Sequence, residues 1–115
     1  MAFDAGVVAW VEEAMASLGT VTMRGMMGAA TLYCDGIVFA IVDDALWLKS
    51  DAVSAAAWDA AGCERFSFTG KDGAVQVMNY RRAPDDCYDD ADALRRWASL
   101  ALEAGARAPA KRRKG

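Results

Sequence analysis

A chain of 115 residues, 55% apolar and 25% charged, has the size and composition of one globular domain that buries roughly two thirds of its unfolded surface. Its three cysteines, Cys34, Cys63 and Cys87, are odd in number and lack C-x-x-C spacing, and histidine is absent, so neither a disulfide framework nor a zinc site is supported and the commonest general base is missing. Charge is uneven: residues 1–106 hold 8 Lys/Arg against 16 Asp/Glu, whereas residues 107–115 hold five cations and no acid, for a net charge of −3.

Asp4 is placed to cap a helix over residues 5–18, with Val7, Val11, Ala14 and Leu18 at helical spacing. Trp10 and Met15 widen that stripe, Glu12 and Glu13 face away, and Gly19 supplies a stop. The N-terminus lacks the basic segment of a signal peptide. No apolar run approaches the ~20 residues of a membrane span. No membrane contact and a cytoplasmic location are therefore expected.

Thr20 to Met26 reads as a strand in which Gly25 and Gly28 suggest a bulge or a close backbone approach. A phosphate cradle is the sharper alternative there, but no G-x-G-x-x-G or G-K-[ST] pattern accompanies the glycines. Asp35-Gly36 is a two-residue hairpin signal between apolar runs. It pairs Cys34 with Ile37, Leu32 with Phe39 and Ala30 with Ile41, which gathers these six residues on one face. Thr31, Tyr33, Val38, Ala40 and Val42 take the other. A second tight turn at Asp43-Asp44 pairs Ile41 with Leu46, Phe39 with Leu48, Ala40 with Trp47 and Val38 with Lys49. One face is then apolar across three strands, and the other collects Thr31, Tyr33, Trp47 and Lys49.

Asp51 is a candidate cap for a short helix over residues 52–61, with Val53, Ala56, Ala57 and Ala60 as its apolar stripe and Gly62 as its end. Trp58 lies off that stripe, either packed against a neighbour or part of a contact surface. Arg65–Thr69 and Ala74–Tyr80 form two more strands around a glycine-rich turn, with Phe66 and Phe68 on one face. Arg81-Arg82-Ala83-Pro84 then leaves the sheet. Asp85, Asp86, Asp89, Asp90 and Asp92 precede a last helix over residues 90–105. Carboxylates favour a helix N-terminus, and the EF-hand pattern is missing, so a charged cap is preferred to a Ca²⁺ or Mg²⁺ site. Leu94, Trp97, Ala98 and Ala101 form the stripe of that helix, with Leu100 and Leu102 beside it. Gly105 marks its end and Pro109 prevents continuation. Cys34 reads as a small core residue; Cys63 and Cys87 are expected to be partly exposed.

The ordered motifs resemble the N-terminal domain of the TfoX/Sxy family of competence regulators. They are Arg24, then Met26-Met27-Gly28-Ala29, Leu32-Tyr33, Gly36, Phe39, Asp43-Asp44 and Leu46-Trp47-Leu48-Lys49. Phe66, Phe68, Met78, Tyr80, Pro84 and the Leu94–Trp97–Ala98 helix follow the same pattern. Met27, Ala29 and Thr31 depart from it, standing where the family has phenylalanine and glycines. The resemblance implies a single-domain member of that family with an α+β fold. An antiparallel β-sheet of about five strands is expected, with an N-terminal helix, a short middle helix and a C-terminal helix. Residues 1–106 would form the domain and 107–115 a basic flexible tail.

No nucleophile–base–orienter set is visible, so an enzyme is not expected, and neither catalytic residues, metal nor cofactor are assigned. The resemblance implies a non-enzymatic role in transcriptional control. It points to a protein partner, such as the cyclic-AMP receptor protein that acts with the family in some bacteria. Arg24, Tyr33, Trp47 and Lys49 are the candidate partner-contact residues, because aromatics and arginine concentrate in interface hot spots. The alternative is a nucleic-acid-binding protein that uses its tail, Arg107, Lys111, Arg112, Arg113 and Lys114, with Arg24, Arg81 and Arg82 as helpers. A homodimer is compatible with either reading.

Overall fold

The structure is a computed structural model that describes residues 3–26, 28–69, 72–73 and 75–108. Met27, Gly70, Lys71 and the tail residues Lys111, Arg112, Arg113 and Lys114 lie outside the described residues, as does the side chain of Phe68. The element order is α1 (Ala5–Met15), β1 (Val21–Met26), β2 (Ala29–Cys34), β3 (Ile37–Val42), β4 (Leu46–Lys49), α2 (Ala55–Ala60), β5 (Arg65–Thr69) and β6 (Val75–Arg82). A 3₁₀ turn (Asp85–Tyr88) then leads into α3 (Ala91–Arg107). The strands form one antiparallel sheet of six, where about five are expected, in the order β1-β2-β3-β4-β6-β5. The fold is α+β, with helices at both ends of the chain and a short one between. No helix among the described residues is long and apolar enough to cross a membrane.

Helix starts follow the capping residues. The Asp4 carboxylate accepts from the Gly6 and Val7 N–H groups, and the Asp90 carboxylate from those of Asp92 and Ala93. α1 ends at Met15 rather than continuing to residue 18, and Arg95 of α3 donates from Nη1 to the Ala14 carbonyl at 2.9 Å. Leu18 is consequently 42% exposed, and Val8 takes its place in the stripe with Val11, Ala14 and Met15. The acidic run before α3 acts as a charged cap. Among the described residues no three His, Cys, Asp or Glu side chains converge to hold a metal ion.

The Asp35-Gly36 turn forms as expected, with φ of +50° and +85° at its two residues. Cys34 pairs with Ile37, but beyond Tyr33 the register shifts by one residue. Phe39 is the extra residue of a β-bulge, and Leu32 pairs with Ala40, Thr31 with Ile41 and Ala30 with Val42. This corrects the simple alternation. Phe39 and Ala40 both enter the core, Val42 joins them, and Ile41 turns to the other face. The β3–β4 loop has three residues rather than two, so Val42 pairs with Leu46, Ile41 with Trp47 and Ala40 with Leu48. Two shifts together leave Leu46 and Leu48 on the core face and Trp47 on the other. Gly25 pairs regularly with Ala30, with no bulge and nothing within 4 Å of where a Cβ would stand.

One face of the sheet packs against the helices. Its core joins Val11 and Met15, Leu32, Phe39 and Leu48, and Leu94, Ala98 and Ala101. Trp58 is fully buried there, 4.8 Å from the Trp97 ring, while Val53, Ala56, Ala57 and Ala60 face solvent. α2 therefore packs by its single tryptophan and not by its alanine stripe. It begins at Ala55, because Asp51 and Ser54 bond to each other through side chain and backbone. Gly105 lies inside α3 rather than ending it: a Cβ there would stand 2.1 Å from the Val38 carbonyl oxygen, so the glycine is what lets α3 approach β3. Cys34 is core as expected and Cys63 is half-buried, but Cys87 is fully buried, and burial pushes its thiol up to about 12.

Candidate functional site

Among the described residues no helix covers the second face of the sheet. Its buried cluster, Ile41, Ala45, Trp47 and Tyr80 with Ala29, Phe66 and Met78 packed against it, comes from strands and the β3–β4 loop alone. Across this face one row of directly opposed residues runs through five strands: Arg24, Thr31, Ile41, Trp47 and Arg82. At ~4.8 Å per strand the row spans about 19 Å. Two residues to one side along the strands, Thr22 stands opposite Tyr33, and Lys49 opposite Tyr80.

None of the chain's 16 acidic residues lies in a strand. Arg24, Lys49 and Arg82 therefore share this face with no carboxylate at any strand position. At its rim Asp43 is already engaged, its Oδ1 accepting from the Ala45 N–H at 2.9 Å and from the Trp47 indole N–H at 3.0 Å. Of the other two strand arginines, Arg65 and Arg81, Arg81 points to the helix side. It is 3% exposed and donates to the Asp59 carboxylate at 2.8 Å and to the Cys63 carbonyl at 3.0 Å, tying β6 to α2. An acidic protein thus presents one cationic sheet face.

The aromatic side chains of this face are held in place. Phe66 meets Trp47 edge-on at 4.9 Å, the Arg82 guanidinium sits 5.7 Å from the Trp47 ring, and Lys49 Nζ lies 5.0 Å from the Tyr80 ring. Burial first, and Tyr33 second, push the Tyr80 hydroxyl up to about 12. Arg24 is exposed and lines a shallow groove of about 360 Å³ with Thr22, Met23, Tyr33 and Gly36.

All four candidate contact residues, Arg24, Tyr33, Trp47 and Lys49, fall on this face. Trp47 is only 7% exposed, so its indole supports the surface from beneath, while Arg24 is exposed and Tyr33 and Lys49 are half-buried. Sequence reasoning left out Tyr80 and took Arg82 out of the sheet. The period-two series Met78, Tyr80, Arg82 is the signal that continues β6 to Arg82. Of the tail candidates, Arg107 closes α3 and is committed elsewhere: Nε and Nη2 bond the Asp51 carboxylate at 2.7 and 3.0 Å. That pair holds the Asp51 carboxyl well below the usual carboxylate range.

No curated protein matches the chain. Residues 13–105 match the profile of the TfoX N-terminal domain, from within α1 to within the last turn of α3 and so across the whole sheet. With most of its length matched, the chain belongs to the TfoX N-terminal domain family.

Proposed function

We propose that this protein is a non-enzymatic regulatory module that binds a protein partner in transcription through its helix-free sheet face. The observation that carries the reading is the segregation of charge: Arg24, Lys49 and Arg82 lie on one face beside Tyr33, and no acid occupies a strand. A surface of this kind favours an acidic partner segment. Each exposed ion pair contributes little, about 0–1 kcal/mol, so affinity comes from several together and weakens with salt. Membership of the TfoX N-terminal domain family supports a role in transcriptional control, with a cyclic-AMP receptor-type protein as a candidate partner. The test is capture of transcription proteins by the wild type and by an Arg24→Glu/Arg82→Glu variant. The reading expects a transcription-related partner on the wild type and loss of it on the folded variant; equal capture by both contradicts it.

The second reading, nucleic-acid binding, rests on the basic residues after Ala106. A mobility shift at two salt concentrations separates the two, since each neutralised phosphate contributes a slope of about −0.9 in log affinity against log salt. A salt-sensitive shift lost when the chain ends at Ala106 favours the tail; no shift favours a protein partner.

A further inference from the structure

The two edges of the sheet are built differently. β5 pairs with β6 through a register shift between Arg65 and Ser67. β1 pairs with β2 in unbroken register over all six of its residues and contains no proline. Bulges, prolines and charges keep further strands from adding to an edge, and β1 has only Arg24 for that purpose. The direction of its free backbone groups follows from one hydrogen bond. The Asp35 N–H donates to the Thr20 carbonyl at 2.9 Å, which makes Thr20 and Asp35 a hydrogen-bonded rung. Backbone groups alternate along an antiparallel strand. Those of Thr22 and Arg24 therefore point to β2, and those of Val21, Met23 and Gly25 point away from the sheet. The outward set is symmetric about Met23.

We propose that β1 pairs antiparallel with β1 of a second copy of this chain about a two-fold axis at Met23, joining two six-stranded sheets edge to edge. In that register Met23 faces Met23, Val21 faces Gly25, and Thr22 faces Arg24 of the other copy. Every outward N–H and C=O of the three residues then finds a partner. Sliding one way along the strand sets Arg24 against Arg24, which opposes like charges. Sliding the other way carries Gly25 past the end of the partner strand. Side-chain chemistry agrees with the backbone. Met23 is 42% exposed, and Leu18 at 42% and Ile37 at 36% lie at the same end of the sheet. Leu18 stands two residues before Thr20, and Ile37 pairs with Cys34, the partner of Val21. A two-fold axis normal to the sheet also places both cationic faces on the same side. This dimer requires no other partner and stands or falls apart from the function proposed above.

Sedimentation equilibrium of the full chain, from micromolar to near-millimolar concentration, tests it. The expected mass rises from 12.3 kDa to twice that value. Met23→Pro removes an outward N–H without touching the β1–β2 ladder. Met23→Lys sets two cations against each other at the axis. Both variants are expected to keep the wild-type circular dichroism and to weaken dimerisation at least tenfold. Should the proline variant fold poorly, Met23→Lys decides, since its side chain is at the surface. A wild type that stays monomeric throughout overturns the proposal, as does a folded Met23→Lys that dimerises as tightly as the wild type.

Discussion

Trp47 and Trp58 show how a single large side chain settles its surroundings. The alanines of α2 offer little apolar area each, at ~25 cal/mol per Å², and one buried indole outweighs the stripe they form. Composition made Trp58 visible but not its direction, because six residues hold less than two helical turns. Trp47 was legible as a member of the second face. Its burial was open, with a helix as the expected cover; what covers it was not legible, because Phe66 and Arg82 reach it from strands far along the chain. Tyr80 shares that environment and carries a consequence for pH. Its hydroxyl is held at about 12, above its ordinary value of 10.0, so the folded state keeps a proton that the unfolded state gives up. The associated stability is complete below about pH 10 and falls as pH rises towards the folded value. Phenolate absorbance should accordingly show one of the three tyrosines ionising late in the folded protein, and Tyr80→Phe should remove that late component. Cys87 titrates in the same range, which is why the phenolate signal, and not stability alone, is the measurement.

Element boundaries followed local chemistry and were largely legible. Asp4 and Asp90 accept the N–H groups of their helices, Asp35-Gly36 turns the hairpin, and β5 spans the residues its alternation predicts. Register was less legible. In the segment Ile37–Val42 every residue is apolar, so alternation stays satisfied whichever residue is bulged out. The third loop residue lets Asp43 accept from the Ala45 N–H, and the bulge carries both Phe39 and Ala40 into the core where α3 packs on β3. Gly105 sits at that contact. Its place near the C-terminus of the helix points to a helix end, as glycine so often is, whereas here it removes a Cβ that would stand 2.1 Å from the Val38 carbonyl oxygen. Gly105→Ala should therefore destabilise the protein by about 2 kcal/mol, despite alanine's better helix propensity. A denaturant midpoint equal to or above wild type would show that α3 can move away from β3 at no cost.

At the scale of the whole molecule, charge is sorted by secondary structure. All 16 acids lie in helices and loops or at caps, and the strands carry only cations among their charged residues. Counting along the chain shows an acidic body and a basic end. It does not show that Arg24 and Arg82, 58 positions apart, close the two ends of one row, because that depends on β6 pairing with β4. The proposed contact surface is the sheet face that carries this row. The most direct measurement is an amide NMR titration of the labelled protein with a short polyglutamate peptide at low and high salt. Salt-sensitive shifts are expected to concentrate at Arg24, Thr31, Tyr33, Lys49, Tyr80 and Arg82, with α1 and α3 unmoved. Shifts confined to the helix side, or none at any peptide concentration, would contradict it.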